Sequence, residues 1–175
     1  MREIVQEGAP VLREEARPVP ENLFGTEELS RLVADMAEAL DAEPDGVALA
    51  APQIGVSMRL FIVRKDRTLP APPEGAPPRT AEVEVYINPE IFKTSRKRAR
   101  ADEGCLSVRG TYGTTNRHER VSIRARREDG SRFTRGGGGL LAQIFEHEMD
   151  HLNGILFIDQ ADHLVHIDHA HEPAA

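Results

Sequence analysis

The segment FEHEMDHLNG, residues 145–154, carries the side chains that are best suited to chemistry. In a helix, His147 and His151 lie one turn apart on the same face, so both imidazoles can bind one metal ion. Glu148 is rotated from His147 by about 100° around the helix axis, where it can take a proton from water that the ion activates. A metal hydrolase is one interpretation, and core or surface histidines without a ligand are the other.

A catalytic metal site of this kind needs a third protein ligand and one open position. One candidate is an acidic residue farther downstream, in the stretch Asp168 to Glu172. The other is Cys105, the only cysteine of the chain, which therefore cannot form an internal disulfide. A lone cysteine is most often a small buried apolar residue, but a thiolate ligand would direct the site toward softer transition metals. The residues alone leave both candidates open.

Two helices are predicted, and the second carries the histidines. Thr26 begins the first helix, and the chain leaves it at residues 44–46, which include Pro44. Its apolar residues recur at helical spacing and predict one buried face: Leu29, Leu32, Val33, Met36 and Leu40. The second helix begins near Leu140 and ends at Gly154, a residue typical of helix ends.

Strands occupy much of the remaining sequence. Apolar residues in alternating or continuous runs predict strands at residues 59–63, 82–89 and 121–128, the second ending at its proline. Asp129-Gly130 predicts a hairpin turn after the third strand, whereas the glycine run at 136–139 is too flexible for the core of a strand. Strands followed by a helix, with one helix early, indicate an α+β fold in a single domain over residues 1–175.

Two segments predict irregular structure. Leu69–Pro78 is rich in proline and predicts a loop. The tail after about residue 160 is expected to be flexible, as a disordered segment or a frayed helix. It holds four histidines, for which metal binding is the minor alternative: His163, His166, His169 and His171.

Composition limits the location and the partners. No apolar run is long enough to span a membrane and no signal-peptide block is present, so we expect a cytoplasmic protein that does not contact membranes. The formal net charge of −7 disfavours non-specific binding of nucleic acid. The exception is the basic stretch SRKRARAD, residues 95–102, which predicts a solvated strand end or loop, or a contact with RNA or another acidic surface.

Three motifs follow one another along the chain: GVALAAPQ at 46–53, EGCLS at 103–107 and HEMDH at 147–151. Together they resemble the peptide deformylase family, whose motifs are written G-x-G-L-A-A-x-Q, E-G-C-L-S and H-E-x-D-H. Each motif is moderately specific alone, and the three in this order are highly specific. The resemblance extends from about Pro10 to about Asp159.

The resemblance implies a fold and an activity. The fold would be α+β, with antiparallel strands around a central helix that bears the HExxH residues and with an additional N-terminal helix. The activity would be metal-dependent hydrolysis that removes the N-terminal formyl group from nascent formyl-methionyl polypeptides and releases formate. The cofactor would be one divalent metal ion, usually Fe²⁺, with Zn²⁺, Ni²⁺ or Co²⁺ also able to occupy the site.

The resemblance also gives roles to individual residues. The metal ligands would be Cys105, His147 and His151. Glu148 would be the general acid and base, while Gln53 and the backbone N–H of Leu106 would stabilise the oxyanion. Substrate would be bound by Gly46, Val47, Ala48, Gly104 and Ile144. The small residues of the first motif allow an extended peptide to add as a strand, although they can also serve close packing.

The expected partner is the N-formyl-methionyl peptide substrate. Ribosome association is a further expectation, which the basic stretch supports, and a monomer is favoured.

Four residues depart from the family pattern. Ala48 occupies the position where the family motif has its second glycine, and its methyl group could crowd a substrate. Arg109 occupies a position where proline is common in the family. Glu146 replaces the usual glutamine and could bring another carboxylate near the site, and Gln143 is polar where an apolar pocket residue for methionine is expected. Ala48, Gln143 and Glu146 motivate one alternative, a divergent paralogue that hydrolyses a different N-formyl compound. The basic stretch motivates another, a non-catalytic ribosome-associated metal protein.

Overall fold

A computed structural model describes residues 2–167 of the chain. Within these residues the chain forms two α-helices and eight β-strands. The helices are α1 (Glu27–Asp41) and α2 (Leu140–Leu152). The strands are β1 (Ala48–Ala50), β2 (Leu60–Arg64), β3 (Val83–Thr94), β4 (Arg98–Cys105), β5 (Val108–His118), β6 (Arg120–Arg126), β7 (Arg132–Gly138) and β8 (Asp162–His166).

The strands form two antiparallel sheets that share one helix. The larger sheet has the order β1-β2-β3-β6-β7, and the smaller sheet has the order β4-β5-β8. Helix α2 contacts β1, β6 and β7 of the larger sheet and β5 of the smaller sheet. The predicted α+β fold, with antiparallel strands around the helix that carries His147 and His151, is therefore confirmed.

The larger sheet lies between the two helices because both of its faces are apolar. In β2, Phe61 and Val63 pack in a cluster with residues of α2, whereas Leu60 and Ile62 pack in a second cluster with residues of α1. Alternate residues of a strand point to opposite faces, so this one short strand joins both layers of the core. Burial on both faces explains why β2 reads as a continuous apolar run.

The predicted start of α1 is confirmed. The Oγ1 atom of Thr26 accepts a hydrogen bond from the backbone N–H of Leu29, which satisfies one free donor of the first turn. The predicted stripe is confirmed where it matters most, because Leu29, Val33, Met36 and Leu40 are buried. This face places the end of α1 next to the segment that leads into β1.

The glycine run belongs mostly to a strand, so the expectation that it is too flexible was wrong. Gly136, Gly137 and Gly138 pair with β6 as the end of β7. A Cβ atom on Gly137 would lie 2.5 Å from the Cδ2 atom of Leu141, the second residue of α2. Glycine is needed here because the first turn of the helix packs directly on the strand.

Strand β3 continues through Pro89 to Thr94, so the predicted end at the proline was wrong. The pairing of β3 with β6 shifts register between Ile87 and Glu90, which places the proline in a bulge that requires no ladder donor. Asn88 precedes it with φ of +48°, and its side-chain amide exchanges two hydrogen bonds with the backbone of Val19. These two hydrogen bonds attach the bulge to the N-terminal segment that contains Val19.

The tail contains a further strand. Asp162–His166 pair with β5 as β8, so the expectation of disorder or a frayed helix was wrong for these residues. His169, His171 and the alternative ligand region Asp168 to Glu172 lie outside the described residues. The loop predicted at Leu69–Pro78 is confirmed, and the basic stretch at residues 95–102 forms the turn after β3 and the first part of β4.

The contact between β7 and α2 predicts how two adjacent glycines respond to the same change. Gly137→Ala is expected to destabilise the fold by about 1–3 kcal/mol, because its methyl group overlaps Leu141. Gly136→Ala is the matched control, since its methyl group would make ordinary contact with Ser122. That control should be neutral or stabilising by up to about 1 kcal/mol. Urea unfolding of both variants measures the difference, and equal stabilities would contradict the proposed packing role.

Candidate active site

Cys105 and the two histidines of α2 meet in one cluster. Cys105 ends β4, and its Sγ atom lies 3.3 Å from the Nε2 atom of His151. The Nε2 atoms of His147 and His151 are 3.2 Å apart. One ligand atom from each residue lies within 4.8 Å of the others. The residues predicted as metal ligands are therefore brought together by two different elements.

The chemistry of this cluster fits a divalent transition metal ion. A thiol and two imidazoles are ligands preferred by metals such as iron, cobalt, nickel and zinc, and three protein ligands leave a position for a reactant. Burial lowers the pKa of His151 well below its usual range, so its ring is neutral, the form that binds a metal. Burial also opposes the charged form of His147, but its hydrogen bonds with Cys105 and Glu103 raise its pKa. A metal ion would displace the proton held by that ring.

A buried ionic network holds His147 in place. The Nδ1 atom of His147 is hydrogen-bonded to Glu103, whose carboxylate also accepts bonds from the Nε and Nη2 atoms of Arg117 at 3.1 and 2.6 Å. Arg117 reaches back to α2 through a 2.7 Å bond to Asp150. Since Nδ1 is occupied by Glu103, the Nε2 atom of His147 is directed to the cluster.

Glu103 is ionised within this network. Burial alone would raise the pKa of Glu103, but hydrogen bonds from His147 and Arg117 outweigh it and hold the pKa well below its usual range. Because the folded pKa is depressed, the carboxylate stabilises the fold at neutral pH, and this contribution is lost as the pH falls through the folded pKa. Sequence reasoning missed the role of Glu103 as an anchor, although this residue lies inside the EGCLS motif.

Glu148 occupies a different environment beside the same cluster. Its side chain is 3% exposed, and its Oε2 atom has no hydrogen-bond partner among residues 2–167. Burial raises the pKa of Glu148 to about 7. A carboxyl group with a pKa near neutrality can both accept and return a proton at working pH. Glu103 and Glu148 are both buried near His147, and their surroundings move their pKa values in opposite directions.

Gln53 presents its amide group to Cys105 from the turn after β1. Its Oε1 atom accepts a hydrogen bond of 2.9 Å from the N–H of Ala50. Its Nε2 atom donates to the Oγ atom of Ser107 at 3.1 Å and to the Sγ atom of Cys105 at 3.7 Å. The buried amide therefore caps a turn, and the same bond orients its N–H donors toward the cluster.

Leu106 lies in the two-residue turn between β4 and β5, where Cys105 pairs with Val108. Its backbone N–H lies outside the ladder of both strands and next to the cysteine. The N–H of Ser107 donates to the Sγ atom of Cys105 at 3.4 Å. The turn thus presents the backbone N–H of Ser107 to the sulfur.

A cavity of about 640 Å³ opens on the cluster. It is lined by Cys105, His147, Glu148, Gln53 and Leu106, and by all five residues expected to bind substrate: Gly46, Val47, Ala48, Gly104 and Ile144. One wall is β1 with the residues before it, the second is the β4–β5 hairpin, and α2 completes the enclosure. This volume is within the range typical of small-molecule and peptide sites.

Strand β1 presents an open edge to this cavity. Among residues 2–167 it is the terminal strand of its sheet and pairs only with β2, to which Val47 and Leu49 direct their backbone groups. In an antiparallel pair the intervening residue directs its N–H and C=O groups away from the partner strand. Ala48 is that residue, so its backbone faces the cavity. Its methyl group packs in the core, with the residue 7% exposed, and does not obstruct the edge.

The departures from the family pattern at Glu146 and Gln143 lie in different surroundings. Glu146 does not line the cavity, because its carboxylate binds the Nδ1 and backbone N–H of His118 at 2.6 and 2.9 Å. The expectation that Glu146 adds a carboxylate near the site was therefore wrong. Gln143 does line the cavity, and its Nε2 atom donates to the carbonyl of Asp102 at 2.8 Å and to Glu103 at 3.4 Å.

Comparison with known proteins gives the context for this geometry. A family model described as polypeptide deformylase matches residues 1–166. The chain belongs to the peptide deformylase family. The family predicted from the three motifs is thus confirmed, as is the predicted enzyme class, peptide deformylase.

Relatives and solved structures cover nearly the whole chain. A peptide deformylase of Dehalococcoides mccartyi is 40% identical over 172 residues, which is 98% of this chain and 91% of the relative. A peptide deformylase of Thermotoga maritima superimposes with a TM-score of 0.79 at 32% identity, covering 93% of this chain and 98% of that one. A class I type b deformylase of Acinetobacter baumannii with bound Met-Ala-Ser gives a TM-score of 0.79 at 33% identity, covering 91% and 99% of the two chains.

The family is metal-dependent, and Cys105, His147 and His151 form a site in this chain that could hold one ion. Among residues 2–167, no helix is both long and apolar enough to cross a membrane.

The network around His147 predicts a loss of metal affinity when Glu103 is neutralised. Glu103→Gln keeps the shape of the side chain but removes the charge that orients the imidazole, so metal affinity should fall about 10- to 100-fold. Glu146→Gln is the matched control on α2, because that carboxylate bonds His118 outside the cavity. Competition for Zn²⁺ with a chromophoric chelator measures both affinities. Equal affinities in two folded variants would contradict the anchoring role of Glu103.

Proposed function

We propose that this protein is a metal-dependent peptide deformylase that removes the N-terminal formyl group from formyl-methionyl nascent polypeptides and releases formate. The observation that carries this function is the meeting of one thiol and two imidazole nitrogens beside the buried carboxyl of Glu148, in a cavity with an open strand edge. The match of the family model over residues 1–166 supports the same activity.

Cys105, His147 and His151 would hold one divalent ion, with Fe²⁺ as the native ion and Zn²⁺, Ni²⁺ or Co²⁺ as substitutes. A bound ion supplies Lewis-acid chemistry, because it activates water at neutral pH and polarises the formyl oxygen. The thiolate favours such transition metals over Mg²⁺ or Ca²⁺. Glu103 and Arg117 keep His147 in the orientation that this set of ligands requires.

Glu148 would act as the proton carrier of the reaction. Its ionised form accepts a proton as water attacks the formyl carbon, and its protonated form returns that proton to the leaving amine. A pKa of about 7 allows both states to be populated at neutral pH. The Oε2 atom of Glu148 has no hydrogen-bond partner among residues 2–167, so no described protein group competes with the reactants for that oxygen.

Gln53 and the backbone N–H of Leu106 would stabilise the developing oxyanion. The amide of Gln53 is already oriented by Ala50, so it needs no reorganisation to present its N–H groups. Such a preorganised donor contributes about 2.7–4 kcal/mol to stabilisation of a transition state. An uncharged donor also avoids repulsion of the metal ion.

The open edge of β1 would bind the peptide as an added strand through Ala48. Backbone pairing accepts many sequences, which suits an enzyme that processes many N-termini. Val47, Gly104 and Ile144 also line the cavity and would contact the first side chain. The Acinetobacter baumannii relative with bound Met-Ala-Ser supports a peptide of this kind as the ligand.

Replacing Glu148 tests the catalytic assignment. Glu148→Gln should lower formate release from formyl-Met-Ala by about 100- to 10,000-fold, because the proton carrier is lost. Bound metal, measured by elemental analysis, should stay at one ion per chain, since Glu148 is not a ligand. Glu146→Gln is the control on the same helix and should retain activity. Turnover by Glu148→Gln at the rate of the unmodified protein would contradict this role.

The same assay separates the alternatives. A paralogue acting on another N-formyl compound would turn over formylglycine amide better than formyl-Met-Ala, and a non-catalytic metal protein would release no formate from either. We expect formyl-Met-Ala to be the better substrate. The assay is done without oxygen, because Fe²⁺ and a thiolate ligand are both oxidisable.

A cytoplasmic location, a monomeric state and ribosome association complete the proposal. The support for the last is the basic hairpin, defined as Arg96, Lys97, Arg98 and Arg100, all exposed at the turn after β3 and the start of β4. Lys97 and Arg100 pair with Glu119 and Asp162, so part of the charge is balanced. Arg96 and Arg98 have no carboxylate partner among residues 2–167 and would contact the phosphates of ribosomal RNA.

Charge reversal tests the basic hairpin. Arg96→Glu combined with Arg98→Glu should abolish co-sedimentation with bacterial ribosomes at low salt, while activity on formyl-Met-Ala is retained. Arg79→Glu combined with Arg132→Glu makes the same change in net charge at two exposed positions outside the hairpin, and should sediment like the unmodified protein. Equal sedimentation of all three proteins would remove the hairpin from the proposal.

A further inference from the structure

One ion pair connects the two walls of the cavity. Glu43, in the segment between α1 and β1, accepts hydrogen bonds from the Nη2 and Nη1 atoms of Arg109 on β5 at 2.7 and 3.1 Å. Both residues line the cavity. The pair is separate from the metal cluster, and neither side chain has a role in the chemistry described above.

Both residues of this ion pair are held in place through their own backbone groups. The Nη1 atom of Arg67 donates to the carbonyls of Leu40, Glu43 and Gly46 at 3.2, 2.7 and 2.7 Å, which holds the segment that carries Glu43. The backbone N–H of Arg109 donates to the side chain of Gln6 at 3.4 Å. The pair is therefore a fixed feature of the cavity rim.

The direction of a bound peptide follows from the two ends of β1. At the Ala50 end, the backbone N–H is already bonded to Gln53, and Gln53 contacts Cys105. A peptide that pairs with Ala48 and has its formyl end at the metal cluster must therefore run toward Gly46. The segment before Gly46 carries Glu43. The peptide residues that follow the formylated residue therefore pass close to the ion pair of Glu43 and Arg109.

The ion pair offers donors to that peptide and few acceptors. Both carboxylate oxygens of Glu43 are occupied by Arg109. The guanidinium has five N–H groups, and one from each Nη atom suffices for these bonds, so three remain. The Arg109 side chain is 51% exposed, whereas that of Glu43 is 23% exposed. Arg109 is also the one lysine or arginine among the described residues that line the cavity.

We propose that Arg109 is a specificity-determining residue that binds an acidic side chain at the second or third position of the formylated peptide. The Glu43 carboxylate holds the guanidinium on the rim and leaves its remaining N–H groups for the substrate. A lysine side chain at the same position meets the exposed positive charge and is disfavoured. This inference rests on the proposed function, because it uses the direction of a peptide whose formyl end lies at the metal cluster.

The test compares amidated peptides that differ in one residue. Formyl-Met-Ala-Glu-amide, formyl-Met-Ala-Lys-amide and formyl-Met-Ala-Gln-amide vary the third position, and a second series varies the second position. In at least one series the unmodified enzyme should show a kcat/KM about two- to fivefold higher for Glu than for Lys, as expected for a partly exposed ion pair. The difference should lie in KM, because Arg109 does not touch the reacting atoms, and should shrink at high salt.

Arg109→Gln should bring the ratio of kcat/KM for Glu to that for Lys to about one. Arg132→Gln is the control for overall charge, since it removes one exposed arginine on β7, outside the cavity lining. That control should leave the ratio unchanged. A ratio in Arg109→Gln equal to that of the unmodified enzyme, or no preference for Glu in either series, would overturn the proposal.

A binding experiment keeps this proposal distinct from the proposed function. Calorimetric titration of the zinc-loaded protein with Met-Ala-Glu-amide and Met-Ala-Lys-amide, and with the corresponding pair that varies the second residue, measures the same preference without hydrolysis. Absence of formate release from every formyl peptide would reject the proposed function. Preferential binding of Glu peptides that is lost in Arg109→Gln would still support the inference, whereas its persistence in that variant would overturn it.

Discussion

The buried carboxylate of Glu103 is the interaction on which the rest of the site depends. It joins β4 to β5 through Arg117 and joins both strands to α2 through His147. Loss of one partner from a buried ion pair typically costs about 3–5 kcal/mol, because the other charge is left buried and unpaired. Cys105 follows Glu103 by two residues, and the same junction therefore carries the thiol to the imidazoles.

The cleft exists because the two sheets meet around α2 without closing on each other. Residues of α2 contact both sheets, while in the described part of the chain β1 ends the larger sheet with an unpaired edge. Unpaired edges are normally a liability in soluble proteins, since they pair with other chains. Here the β4–β5 hairpin lines the opposite side of the cavity and so limits access to that edge. The same arrangement that protects the edge thus makes it a binding surface.

Sequence predicts the parts of this structure that depend on local spacing. The helical positions of His147 and His151, the cap at Thr26 and the turn at Asp129-Gly130 each follow from a few adjacent residues. Cys105 was found through its motif, because nothing local connects it to residues more than forty positions away. A helix also explains the error for Glu146, whose side chain is rotated by about 100° from that of its neighbour and points to β5.

Other features depend on contacts that no local pattern encodes. The bulge at Pro89 depends on Asn88 binding a distant segment, and β8 depends on the free edge of β5. The contact of the Gln53 amide with Ser107 and Cys105 is another such feature, and it limits which side chains this position can accept. A glutamate has nearly the same shape, but it would set a carboxylate against the sulfur and could not donate to Ser107. The position therefore requires an amide, and Gln53 cannot be replaced by glutamate without loss of these contacts.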